Sequence, residues 1–416
     1  MAPEVRTVPL ASLRRLVVTQ QLLGGKRPRK ATPEALLSVV RQLGYVQWDP
    51  VTVVAPSHLI SFWNRLDGFR PADLERSLWT EKTLFQHWTP MASIVLTEDF
   101  PLYRSLMARY PESLSHSWGS QRAQAKVFLA QHRKLRNSLL RQLRGGPRTV
   151  GEFEEHPGSH RKDAEWTFGG EVPQMLYHLL MAGEVMVVGH RGNQNIWGLA
   201  EAFLPDWVDR RGLAEARFEE VAALRALGAL GAATPPEITY YFVRGRYERL
   251  RATLARLEER ALIQRVRVDG LNPRELRYIR SEDLAHLDSM DPSTWEPRIS
   301  LLPPFDNMVY SPSRTAKLFG FHYVREQFLP KERRWFGTYV LPVVYGDHFI
   351  GRIDPRLDKT RGELVVQAVH AEPGAPAERG FAESLAATIA RFAEFVGARS
   401  VVYPSRVPRG WRTALR

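Results

Sequence analysis

The chain has 416 residues, of which 44% are hydrophobic and 25% charged, enough for about two to four compact units with an ordinary globular core. It contains no cysteine, which excludes disulfides, thiolate zinc sites, iron–sulfur clusters and a Cys nucleophile. A formal net charge of +13 is the footprint of a polyanion partner, DNA or RNA first, unless it reflects an arginine-rich proteome whose solvated faces all carry Arg.

The opening "MAPEVRTVPLASLRRL" lacks a signal-peptide core. No apolar run approaches the roughly 18 to 20 residues of a membrane helix, so a cytoplasmic protein without membrane contact is expected. The segment "EALLSVVRQLGYVQWDPV", residues 34 to 51, reads as an amphipathic helix, a glycine turn and a strand. On that strand Val46 and Trp48 would form one face, and Gln47 and Asp49 the other. A carboxamide and a carboxylate together must be paired or wet. They could activate a water, with Asp49 as general base and Gln47 as positioner, or they could be the solvent-facing end of a strand with ordinary Asp-Pro turn chemistry.

Next come "PSHLISFWNRL" and "LFQHWTP", which set His58, Arg65 and His87 among aromatics. DNA contact is open to His58 and Arg65, against the plainer reading of core or surface side chains. Trp48, Trp63, Trp79 and Trp88 could stack a displaced base, although such spacing usually marks core. Positive charge then clusters in "QHRKLRNSLLRQLRGGPR" (131–148), as it does in "GGKRPRK" (24–30) and "KERRWFG" (331–337).

The helix–turn–strand outline returns in "VPQMLYHLLMAGEVMVVGHRGNQNIWGLAEAFLP" (172–205) and "YERLRATLARLEERALIQRVRVDGLNPRELRYI" (247–279). There a Gly/Asn turn separates two extended pieces, and a short helix opened by Thr precedes each, "TVGEFEEH" and "TPPEITYYF". Helix, helix and hairpin is the outline of a winged helix. The expected fold class is α+β: three tandem winged-helix units, then a C-terminal β-barrel-like domain. The expected boundaries are 1–110, 111–210, 211–292 and 293–416. In the second wing, His190, Arg191 and Asn193 are expected to touch DNA. Aligning Gly44, Gly183 and Ala261 places Asp49 opposite Val188 and Val266, which favours chemistry over structure for the acid.

After Trp295, "RISLLPPFDNMVY", "TYVLPVVYGDHFIGRIDPRL" and "GELVVQAVHAE" are short β-rich runs. "GFAESLAATIARFAEFVGA" (380–398) is an amphipathic helix, and "SVVYPSRVP" a closing strand. The 12 histidines include no HExxH, and neither a strand–GxGxxG–helix nor a Gly-x-Ser-x-Gly elbow occurs, so no metal, nucleotide or serine-hydrolase signature is present.

The stretch "LGYVQWDPVTVVAPSHLISFWNRL" resembles the Gln–hydrophobic–Asp signature of the YcaQ/AlkZ winged-helix DNA glycosylases, which unhook interstrand crosslinks. "LFQHWTPMASIVLTEDFPLYRSLM", "VVGHRGNQNIWGL", "LLPPFDNMVYSPSRTAKLFGFHY" and "GTYVLPVVYGDHFIGRIDPRLDK" resemble that family in the same order. The resemblance implies three winged helices and a β-barrel around a cleft for double-stranded DNA, and it carries catalytic roles onto Gln47 and Asp49. It implies a monofunctional enzyme acting on N7-alkylated purines and crosslinks, as a monomer without metal or cofactor. The acid at 49 fits the broader YcaQ-type branch. Trp48 is bulkier than the family's aliphatic residue, and "APSHL" stands where members often carry "ARAHH"; both bear on substrate range. The rivals are a non-catalytic winged-helix regulator or damage sensor and, more weakly, a nuclease.

Overall fold

The computed structural model describes residues 5–25, 30–49, 51–153, 170–291 and 293–416. The basic stretch at 26–29 and the end of "TVGEFEEH" lie outside them. The chain forms two compact units, the first from Met1–Pro71, Leu227–Glu237 and Glu258–Arg416, the second from Ala72–Ala226 and Ile238–Leu257. The first division thus falls inside the 1–110 segment read from the sequence.

In the first unit, helix Pro33–Leu43 starts where Thr32 accepts a hydrogen bond from the Ala35 amide at 3.2 Å, and it stops at Gly44, whose φ of 79° suits glycine. Its buried face is Leu36, Val39, Val40 and Leu43. The strand that follows is only Val46–Gln47. It is therefore shorter than the periodicity implied, and Asp49 lies beyond it.

This corrects the valine comparison. Val188 and Val266 sit within the longer strands Val185–Arg191 and Ile263–Val268. Better counterparts of Val46–Gln47 are the two-residue strands Arg148–Thr149 and Ala232–Ala233, each also preceded by a helix. A residue past a strand end is not comparable with valines inside a ladder, so the contrast says nothing about chemistry.

A four-stranded sheet of this unit runs Arg6–Val8, Ile263–Val268, Arg277–Arg280, Ala232–Ala233, the first pair parallel and the others antiparallel. Leu13, Leu16, Val17 and Val18 of helix Leu10–Gln20 join its Val266 and Ile279 in one core with Leu302, Val309, Leu318 and Phe349. That core ties the sheet to the C-terminal strands. These form a five-stranded sheet ordered Ile299–Leu301, Leu341–Tyr345, His348–Asp358, Glu363–Ala371, Ser400–Val402. Its last pair is parallel because helix Arg379–Phe395 crosses between the strands. The register shifts at Val343/Val344 and again at Asp354/Pro355. Such bulges bend a sheet, and the result is a curled half-barrel with edges at Ile299–Leu301 and Ser400–Val402 rather than a closed barrel.

In the second unit, hairpin Leu84–Trp88/Ala92–Leu96 is antiparallel. A second sheet has the order Arg148–Thr149, Gln194–Leu199, Val185–Arg191. Helices Arg133–Arg144 and Glu171–Met181 close over it through Leu135, Leu139, Leu143, Met175, Leu176 and Leu179, against Val185, Val187 and Trp197. Among the described residues no helix is long and apolar enough to cross a membrane.

Candidate active site

The strand ends at Gln47. Oδ1 of Asp49 accepts the Val51 amide at 3.2 Å, an Asx turn that takes the backbone out of the strand direction. Asp49 is only 7% exposed. Its second oxygen, Oδ2, is shielded from solvent and has no hydrogen-bond partner among the described residues. Burial pushes the Asp49 carboxyl above the usual aspartate range, and the Val51 amide pulls it part of the way back. Gln47 is half-buried at the strand end, and its carboxamide makes no hydrogen bond among the described residues.

His58, in helix Ser57–Arg65, is buried against this turn. Its Nδ1 lies 3.1 Å from the Asp49 carbonyl oxygen and 3.3 Å from the Asp49 amide nitrogen. Its ring stacks on Trp48, with centroids 4.1 Å apart and planes 16° apart. His58 therefore fixes the backbone of the motif, and in the free protein it is buried rather than open to a DNA contact.

Arg65 is likewise not a DNA contact. It is fully buried and bidentate to Asp306 at 2.7 and 2.9 Å, with Nε on the Gln21 carbonyl at 2.9 Å. A guanidinium so enclosed can serve only to lock the helix to the 306–309 turn, and Asp306 also accepts Ser61 Oγ at 2.9 Å and the Met308 amide at 3.0 Å.

Tyr339 went unnoticed in the sequence as a neighbour of the acid. Its hydroxyl donates to the Ala55 carbonyl at 3.4 Å. Burial pushes its phenol far up, and the Asp49 carboxylate pushes it further. It stands as a neutral donor beside a desolvated acid. Only the family-like context of "GTYVLPVVYGD" pointed towards it.

The remaining expected residues lie in the second unit. His190 is half-buried, with Nε2 2.9 Å from Gln86 Nε2, and its ring meets Trp79 edge-on at 5.4 Å. Arg191 is exposed and pairs with Glu152 at 2.6 Å, and Asn193 is exposed in the hairpin turn. His87 is wholly buried. Among the described residues no three His, Asp or Glu side chains are grouped to hold a metal ion.

Residues 40–395 match the family described as DNA glycosylase AlkZ-like. The chain belongs to the AlkZ-like DNA glycosylase family. Its fold is similar to that of the Streptomyces sahachiroi DNA glycosylase AlkZ, with a TM-score of 0.65 at 19% identity over 96% of this chain and 99% of the other. Family membership makes the protein a DNA glycosylase, a hydrolase whose substrate is DNA, and Asp49 and Gln47 fall within the matched span.

Proposed function

We propose that this member of the family hydrolyses the N-glycosidic bond of N7-alkylated purines, including those in interstrand crosslinks, with Asp49 as the reacting carboxylate. The supporting observation is the unpartnered, desolvated Oδ2 of Asp49. N7-alkylation makes the purine cationic and a ready leaving group, so one carboxylate suffices, whereas a sugar hydrolase pairs an acid with a base. Oδ2 takes a proton from the attacking water or faces the developing oxocarbenium ion, and a carboxylate stripped of solvent does either more strongly. Oδ2 is closed to solvent in the free protein, so DNA engagement has to bring lesion and water to it. Gln47 supplies a free carboxamide to orient that water. No lysine nucleophile enters the scheme, so the product is an abasic site.

The segment leading to Tyr339 suits the DNA side. Glu326 accepts the amides of Phe336 and Gly337 at 2.8 and 3.0 Å, and Arg334 donates to the Leu329 carbonyl at 2.9 Å and to Thr338 Oγ1 at 3.0 Å. This braced loop holds Trp335 86% and Phe328 70% exposed, beside the exposed cations Lys331 and Arg333. Large aromatics next to cations suit stacking on an opened base and contact with phosphates. We read the remainder of the fold as three winged helices, with hairpins Leu84–Leu96, Val185–Leu199 and Ile263–Arg280 as the wings.

The test is incubation of the protein, with EDTA, on duplexes carrying N7-methylguanine or an N7–N7 mustard crosslink, followed by alkali to cut abasic sites. Base release from both is expected. Binding without release from either would favour the non-catalytic regulator, and strand cuts before alkali would favour a nuclease.

A further inference from the structure

A winged helix ordinarily offers DNA the helix just ahead of its hairpin. In the second unit that helix, Glu171–Met181, cannot do so. Its ionisable groups are Glu171, Tyr177 and His178, and His178 is buried with Nδ1 2.5 Å from the Tyr110 hydroxyl. Seven of its eleven residues are buried, and it carries no lysine or arginine.

The cations stand instead on the neighbouring helix Arg133–Arg144. At 100° per residue, Arg133, Lys134, Asn137, Arg141 and Arg144 occupy about 100° of its circumference, opposite the buried Leu135, Leu139 and Leu143. Arg133, Lys134, Arg141 and Arg144 are exposed, and none of them has an ion-pair partner among the described residues. Arg136, off this stripe, is the helix's paired cation, on Glu184. Arg141 and Arg144 in the last turn suit the helix dipole, but Arg133 and Lys134 in the first turn oppose it, and no acid there offsets them. Helix stability therefore does not explain the stripe. At its C-terminal end, Arg144 joins Arg104 and Arg210 around a cavity of about 390 Å³. Glu184 and Glu201 also line the cavity; Glu184 is committed to Arg136, and Arg210 donates to the Leu204 carbonyl at 3.1 Å. Arg104 and Arg144 then outnumber Glu201, the remaining acid of the lining, and leave a net positive site for an anion.

We propose that the second unit grips the phosphate backbone of duplex DNA through this stripe, with Arg144 and Arg104 closing on one phosphate. The inference rests on the glycosylase reading and names a contact surface for it. From Lys134 to Arg144 the helix spans roughly 15 Å, enough for about two to three successive phosphates of one strand.

The experiment measures affinity for an undamaged duplex from 50 to 300 mM salt, for wild type, K134Q/R141Q/R144Q, R104Q, and the control R361Q/R379Q/R412Q from the first unit. Each lost phosphate contact should lower the slope of log affinity against log salt by about 0.9. The stripe variant should therefore lose about two to three in slope and bind at least about tenfold more weakly. R104Q should lose about one and the control less than one, all with unchanged melting temperatures. A folded stripe variant with the wild-type slope overturns the inference and leaves the glycosylase reading intact. A wild type with no salt-dependent binding overturns that reading as well.

Discussion

Nδ1 of His58 lies within 3.3 Å of both backbone polar atoms of Asp49, so the imidazole clamps the peptide of the residue proposed to do the chemistry. Trp48, the motif's middle residue, covers the other side by stacking on the same ring. His58→Ala should remove clamp and stack together. Misplacement of a reacting group by about 1 Å costs up to roughly 10²-fold. Single-turnover base release should fall by about that much, and the pKa on the acid limb should change little. An unaltered rate would show that the turn holds itself.

The acid limb should also report the environment of Asp49. A general base works ionised, and burial holds this carboxyl above the ordinary range. kcat/KM should therefore fall about tenfold per pH unit below a pKa higher than the ordinary value of about 3.9. Rate measurements from pH 4 to 8 check this, and a profile flat to pH 4 would contradict it.

Arg65 and Asp306 should prove structural. Burial alone would push the Asp306 carboxyl up, but Arg65 and the surrounding donors hold it below the usual range. Arg65→Met leaves that carboxylate buried without its cation, which costs about 3–5 kcal/mol. Urea unfolding should show a loss of that size. A loss under about 1 kcal/mol, the worth of an exposed pair, would mean that the site is wetter than it looks.

His87 should make the protein acid-sensitive. Its two ring nitrogens have no partners among the described residues, and burial, then Arg246, lowers its pKa to about 3 from 6.5. The folded state thus keeps the ring neutral while the unfolded chain protonates it. Stability from this group is complete above pH 6.5 and declines as pH falls towards 3, by about 1.4 kcal/mol per unit. His87→Leu should flatten that limb when unfolding midpoints are compared from pH 7 to 4.

Some of this was legible in the sequence. Gly44 ends its helix at the glycine turn expected there, and the Gly192 and Gly270 turns marked real hairpins. Gln47 and Asp49 drew notice together because they are two residues apart in a short motif. They do not share a strand face because the strand ends at Gln47, and Asp49 enters the local Asx turn to Val51 that the Asp-Pro sequence also allowed. The burial of Arg65 was hidden for another reason: its partner lies 241 positions away, and a lone basic residue among aromatics looks the same in a groove or a core. Tyr339 was hidden in the same way. The expected barrel is open because the bulges that curl the sheet leave no trace in hydrophobic pattern.

The most direct measurement sets wild type beside Asp49→Asn on N7-methylguanine duplex, scoring single-turnover base release, DNA affinity and melting temperature together. The amide keeps the acceptor for Val51 and removes a desolvated charge. Base release should therefore fall by roughly 10² to 10⁴, with affinity retained and the melting temperature equal or higher. A variant that releases base at near the wild-type rate would show that Asp49 does not carry the reaction.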